Sequence, residues 1–544
     1  MKRFFLVGAA IIISILSSVA VTGATCEPVT TTGDDDVVCI GVMAFIFGDR
    51  GNDRIINTAD VSGDVDGGDG NDTIINNGLV QQNIIGGEGD DSIDNNGSVN
   101  QDIDGGNGND TIVNNGTVQN NLNGGDGNDT IVNNANVNND MQGGDGNDTL
   151  INSSTVNGNM QGGDSDDTII NNANVNGDMQ GGDGNDILVN SGFVRDGMQG
   201  EGGNDIITNN GLSSGDVAGG DGNDILTNNG EVEQNMLGGE GNDIVINNGL
   251  TEGGANGDGG NDTIINNGEI QNTVQGGDGN DIIINNGSTQ QEILGGDGND
   301  IIVNNGFVAD NVNGGGGNDI IVNNSTINGD INGGDGNDLI TNNGNLQGNV
   351  LGGNGNDYVV ISGNVSGVIN GGAGFDTLEF NASFCHGTAS SEFLSDFLSI
   401  AVLSPAGDTV TLDGNTYIWI EFEQLVAELW LYFCDGRNEA VDVATPLVSY
   451  CNNLGGLDIY DVDLVGVDGR LTEGILVIRT TQIETLAALQ LAISSGQHQL
   501  INQDTSGNQL WALSSNELQI MGPEVNDPSK IYTFILSAAT CGIS

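Results

Sequence analysis

An aspartate returns every 19 residues, and that spacing constrains the fold of this chain more than any other feature. It stands at Asp53, Asp72, Asp91, Asp110, Asp129, Asp148, Asp167, Asp186, Asp205, Asp224, Asp243, Asp262, Asp281, Asp300, Asp319, Asp338, Asp357 and Asp376. Eighteen units succeed one another without an insertion or deletion. A linker tolerates changes of length and a stacked coil does not, so each unit reads as one coil of a solenoid. A typical unit is GGDGNDTIINNGLVQQNII, residues 67–85. Counted from its Asp, position −5 is always Gly, and −2 is Gly except where Ser165 replaces it. Position +2 is always Ile, Leu or Val, and +4 is Asn in sixteen consecutive units, Asn57 to Asn342. Apolar residues also dominate +8 and +12.

The Gly cluster permits positive φ and suits a tight turn. The β-branched run after it suits a short strand, with +2 pointing inward by two-residue alternation. A second strand is expected over +7 to +13, and NNG is expected as the second turn. Each coil thus reads as two strands and two turns, stacking on the next as parallel β structure. Gly and Asn interrupt any helix reading. The Asn column reads as a side-chain hydrogen-bond ladder, the alternative being a ligand role. The expected fold class is all-β, a parallel β-roll or β-solenoid of about 18 coils followed by a small mainly β C-terminal region.

Stacking puts the aspartates in one column. Neighbours ~5 Å apart repel by roughly 0.8 kcal/mol in water and ~3 kcal/mol at an effective dielectric of 20. Position −3 often adds another acid, as at Asp69, Glu88, Asp126, Asp145 and Asp183. The whole chain has 76 acidic and 9 basic side chains, a formal charge of −67, and after Arg54 the repeats contain only Arg195 as a base. An outside cation is the natural counter-charge. Calcium suits the ligands, because it takes 6–8 oxygens from carboxylates and carbonyls in flexible geometry. Zinc and copper would want the His or Cys that the repeats lack. So acidic a chain does not bind nucleic acid by neutralising phosphates.

GGDGNDTII resembles the GGxGxDxUx nonapeptide of RTX (haemolysin-type) calcium-binding repeats over residues 48–380. The resemblance implies a parallel β-roll with Ca2+ held between adjacent turns, and it assigns the eighteen aspartates as metal ligands. Two departures matter. A coil here is 9 + 10 residues, and its second turn is NNG. Calcium is therefore expected on one edge only, in up to about 17 inter-coil sites. The −4 Gly is replaced by Asp49, Glu201 and Asp258, and the −1 Asn by Phe375.

Lys2 and Arg3 precede an apolar run from Phe4 to Val21, and Thr22 and Ala24 fit a small-x-small cleavage site. Residues 1–24 read as a secretory signal peptide, with an uncleaved anchor as the alternative. No other stretch approaches the ~20 apolar residues of a span, so no membrane span is expected in the mature chain. The six cysteines lie at 26, 39, 385, 434, 451 and 541, an even count that suggests disulfides in an exported chain. Residues 25–47 are expected as an N-terminal cap, 48–380 as the solenoid, 381–434 as its C-terminal cap and 435–544 as a small mainly β domain. Strand-like runs there include Gly474–Thr480 and Ile531–Leu536. Asp435-Gly436-Arg437-Asn438 with Asp442 resembles part of a dockerin-type calcium loop but lacks the full ligand set.

No catalytic constellation stands out. HExxH is absent, and the only histidines are His386 and His498. Gly211-Leu212-Ser213-Ser214-Gly215 matches the hydrolase string G-x-S-x-G but lies inside a coil, away from any strand–elbow–helix context. The functional expectation is a secreted or cell-surface calcium-binding protein with a surface, matrix or adhesion role. Its partners would be calcium ions and cell-surface or matrix components. The rivals are an extracellular hydrolase with its active site in 381–544 and a purely ionic sponge.

Overall fold

The structure is a computed structural model. It describes residues 33–39, 41–386 and a set of strands between 407 and 537. The signal peptide expected at 1–24, Cys26, Cys434, Cys451, Cys541, His498 and the Asp435 loop lie outside the described residues. So do the disulfide pairings that depend on those cysteines. The chain divides into two compact units, Met1–Leu294 and Gly295–Ser544.

All described regular structure is β. The coil that begins after Asp72 contains β1 (Thr73–Asn76), β2 (Leu79–Val80) and β3 (Ile84–Glu88), and the labels are used for the same positions of the other coils, β2 shrinking to an isolated bridge at Val61 and Val137. Each strand pairs in parallel with its equivalent 19 residues on: Thr73 with Ser92, Leu79 with Ser98, and Ile84 with Ile103. Within the second unit the same register links Ile301 to Ile320 and Val312 to Ile331. The expected parallel β-solenoid of about 18 coils is thus observed.

The two-strand coil is corrected to three. The expected second strand from +7 to +13 breaks after +8, because polar residues at +9 to +11, such as Gln81, Gln82 and Asn83, make a third corner. The chain resumes as β3, which runs into the first residues of the GGxGxD turn. Three inward aliphatic columns fill the coil, exemplified by Ile74, Val80 and Ile84, each 0% exposed. A 19-residue coil has room for only these thin rows, so Ile, Val, Leu and Met suffice and aromatics are scarce.

The Asn column is a ladder. Within each unit the +4 Asn side chains are buried, and up to Asn323 the Nδ2 donates to the Oδ1 of the next coil's Asn at 2.7–3.1 Å. The Oδ1 also accepts a backbone N–H two residues on, as Asn171 does from Ala173 at 3.0 Å. The ladder therefore satisfies an amide that would otherwise be buried without a partner, and it also fixes the turn.

Among the described residues, four non-glycines have positive φ: Asp49 (76°), Ser165 (83°), Glu201 (77°) and Asp258 (71°). These are the positions where a side chain replaces a turn glycine. The stacked neighbours hold the backbone in the left-handed region whichever residue is present, and an L-residue there costs roughly 1–2 kcal/mol.

The segment before the first full coil continues two of the sheets. Asp36–Cys39 pairs with Arg54–Asn57, and Ile46–Phe47 with Val65 and Asp66. At the other end, Thr377–His386 pairs in parallel with Gln424–Phe433, which pairs antiparallel with Ile475–Thr480. A hairpin, Gly407–Leu412 with Asn415–Ile420, lies against Val368–Asn370 and buries Trp419 completely. These partners cover strand edges that would otherwise offer unpaired backbone groups. The four last strands form an antiparallel sheet from Gln499 to Ser537, which includes the run expected at Ile531–Leu536.

Two substitutions test this account of the coil. Asn171→Ala removes the ladder bonds from Asn152 and to Asn190 and the turn bond from the Ala173 N–H. It should lower unfolding stability by about 2–3 kcal/mol in a denaturant titration. Glu201→Gly removes left-handed strain and should raise stability by up to about 1 kcal/mol. Glu201→Ala, which keeps the Cβ, should not.

Candidate metal centre

Each aspartate of the 19-residue column ends its turn just before β1. The turn's glycines bring the backbone of the next coil close, and the Asp side chain folds inward. All eighteen aspartates are buried, at 0–3% exposure. Oδ1 has a fixed role. It accepts the backbone N–H of the equivalent Asp one coil earlier, at 2.6–2.9 Å, as when Asp53 donates to Asp72 and Asp167 to Asp186. Each coil is thereby fastened to the next by a charge-assisted bond, the stronger kind.

Oδ2 has no such role. At Asp53, Asp72, Asp91, Asp110, Asp129, Asp148, Asp167, Asp186, Asp205, Asp224, Asp243, Asp262, Asp319, Asp338 and Asp357 it is buried and makes no hydrogen bond. It shares its space with a carbonyl. A methyl group built on Gly67 would collide with both Asp72 Oδ2 and the carbonyl oxygen of Gly86 in the next coil. The same convergence recurs at Gly105, Gly124, Gly143 and Gly162. Glycine at −5 therefore leaves open a space bounded by two oxygens with no donor between them. Sequence reasoning found the carboxylates and expected carbonyls of the Gly-rich turn, but did not single out the one at −5. The constancy of Gly at −5 is the signal that points to it.

The electrostatics agree with the geometry. Burial pushes the carboxyls up, against the opposing effect of the backbone N–H. Asp72, Asp110, Asp129 and Asp148 rise from 3.8 to about 6, Asp53, Asp91, Asp205 and Asp243 to about 7, and Asp167 to about 8. Neighbouring carboxylates of the column push several of them further, as Asp148 and Asp186 do to Asp167. A row of buried acids without counter-charge resists ionising.

The −3 acids do not join this site. Asp69, Glu88, Asp126, Asp145 and Asp183 are exposed on the outer side of the turn. Among the described residues no three His, Cys, Asp or Glu side chains converge as a metal cluster. Each inter-coil position offers one carboxylate, and carbonyl oxygens supply the rest of any ligand set. Such a donor set is all oxygen and flexible, which fits a hard divalent cation of calcium type.

The G-x-S-x-G string lies inside a coil. Ser213 is completely buried on β2 of its coil, and its hydroxyl donates to the Gly215 carbonyl at 3.3 Å. No helix among the described residues is long and apolar enough to cross a membrane.

No protein-family model matches the chain. No curated protein matches it. Among solved structures, it is similar to a hyperactive, Ca2+-dependent, β-helical antifreeze protein from an Antarctic bacterium. The two are 28% identical over 47% of this chain and 80% of that one, with a TM-score of 0.39. So loose a superposition transfers neither register nor site from one chain to the other.

Proposed function

We propose that the chain is an exported calcium-binding repeat protein in which Ca2+ sits between successive GGxGxD turns and is required for folding. The observation that carries this reading is the column of buried aspartates, with one oxygen committed to the preceding coil and the other facing a carbonyl oxygen of the next. The ligands of each ion would be an Asp Oδ2 and carbonyls of the flanking turns, including that at −5, in up to about 17 inter-coil positions. A bound cation supplies positive charge that the repeats, with Arg195 their only base after Arg54, lack. The Asp column and the Gly-rich turns occupy one edge of the coil, and the Asn ladder satisfies itself on the other. The expectation of calcium on one edge rests on that division. The biological role that fits is a calcium-stiffened element at a cell surface or in a matrix.

The reading makes a prediction of opposite signs. Asp129→Asn can keep the Oδ1 bond to Asp110 and turn an amide N–H toward the carbonyl that the carboxylate faces. It should stabilise the metal-free protein near pH 6, where protons still support the fold, and destabilise the calcium-loaded protein, each by about 1–3 kcal/mol. Melting in chelator and in calcium checks it, and a loss of stability in both would sink the site.

The pH dependence has a definite sign. The folded, metal-free carboxyls bind protons more tightly than the unfolded ones, with values of about 6 to 8 against 3.8. Their contribution to stability is therefore complete below about 3.8 and is lost as pH rises through about 6 to 8. Protons and calcium compete for the same oxygens. Chelator should abolish the β-rich circular dichroism spectrum at pH 8, and the difference between chelator and calcium should shrink below pH 6. A spectrum unchanged by thorough calcium removal at pH 8 would overturn the reading.

A further inference from the structure

From Asp110 to Asp281 the outer face of the β1 sheet is almost free of charge, in a chain whose formal charge is −67. Four outward rows run along this face in the first unit, at −1, +1, +3 and +5. Over the ten coils from Asp110 to Asp281 these rows hold forty residues, and Asp166 is the only charged one. The +1 row is Thr111, Thr130, Thr149 and Thr168, then mostly Ile from Ile187 to Ile282. The +3 row is Val, Ile and Thr throughout. The −1 and +5 rows are Asn apart from Asp166, Ser153 and Ser191. The acids lie elsewhere, as on the −3 row from Asp126 to Asp278.

The apolar part is exposed. Ile187, Ile206, Ile225, Ile244 and Ile282 are 37–43% accessible. After Phe45, every large hydrophobic side chain of the first unit that is exposed stands in this one row. The flanking amides are already ordered. Asn204, Asn223, Asn242 and Asn261 each donate to the preceding coil's Asn along one edge, and Asn229, Asn248 and Asn267 do so along the other. An apolar centre with a polar, uncharged rim is the anatomy of a protein interface. Its side chains have little rotamer freedom left to lose on binding.

We propose that this face packs against the same face of a second copy of the chain. The inference goes beyond calcium binding and depends only on the folded solenoid. Two observations select a second copy as the occupant. The face is about 43 Å long, at ~4.8 Å per coil, and about 20 Å wide, roughly 860 Å² against about 800 Å² per partner in a standard stable interface. A second copy also carries the same spacing, so its rows of β-branched side chains can seat between these at every coil, as stacked sheets do. The contact is isologous, so it closes as a dimer. Two chains this acidic repel each other, and this face is where they can approach with least charge between them. At physiological salt the residual repulsion is screened over about 8 Å.

Analytical ultracentrifugation of the full chain in calcium at physiological salt, across a range of concentrations, tests this. The wild type should sediment as a concentration-dependent dimer. Ile206→Glu/Ile225→Glu adds two charges to the centre of the face on exposed side chains. It should weaken dimerisation at least 100-fold while circular dichroism and melting stay unchanged. Leu237→Glu, on the outer side of the β3 sheet, should leave the dimer intact. A wild type that is monomeric at every concentration, or a dimer that survives the double substitution, would overturn the proposal. If the double variant loses its spectrum, Thr208→Lys/Thr227→Lys repeats the test in the neighbouring half-exposed row, and a dimer that survives there overturns it equally.

Discussion

The structure depends on what a buried carboxylate does with its second oxygen. One oxygen of each column aspartate takes a backbone N–H from the coil before it, and that bond sets the register of the stack. The other oxygen is left in a space shared with a carbonyl, where it makes no hydrogen bond at positions such as Asp72 and Asp129. A carboxylate in that position has three physical outcomes. It can take a proton, it can bind a cation, or it can leave the fold. The raised carboxyl values describe the first, the all-oxygen surroundings suit the second, and the charge repeated every coil makes the third the result of having neither.

The opposite edge of the coil solves the same problem without charge. A buried primary amide carries both donors and acceptors, so one Asn per coil can satisfy the next indefinitely. A carboxylate carries only acceptors, so a column of Asp cannot close on itself. This difference explains why one side chain recurs at position 0 and the other at +4, although they have nearly the same shape. It also explains why the two edges respond differently to solvent conditions. The Asn ladder is indifferent to pH and metal, and the Asp column is governed by both.

Much of this was legible in the sequence, because a strict period converts one-dimensional spacing into a contact list. Residues 19 apart had to touch, so the Asp and Asn columns, the inward +2 row and the parallel stacking could all be read directly. The third strand was not legible. Two residues such as Leu79 and Val80 are too short a run to stand apart from the polar residues after them, and the corner at Gln81 to Asn83 has neither Gly nor Pro to announce it. The depth of the aspartates was also hidden. Acid next to a Gly-rich turn suggests a solvent-facing ligand, and only the folded coil reveals that the side chain turns inward to cap its neighbour. The carbonyl partners are backbone atoms and have no letter of their own.

Repetition also sorts charge into faces. Each position in a 19-residue unit becomes a line along the solenoid, so a preference at one position is multiplied by the number of coils. A single carboxylate at −3 is an ordinary surface residue, but a row of them is a charged ridge. Single Thr or Ile residues at +1 are equally ordinary, and a row of them flanked by amide ladders is a continuous neutral face. The low aromatic content and the high net charge are thus two results of one geometry. The coil is too thin to bury large rings, and its surface is too repetitive to mix its charges. A globular domain with the same composition would scatter both signals, and neither a cation column nor a neutral face would emerge.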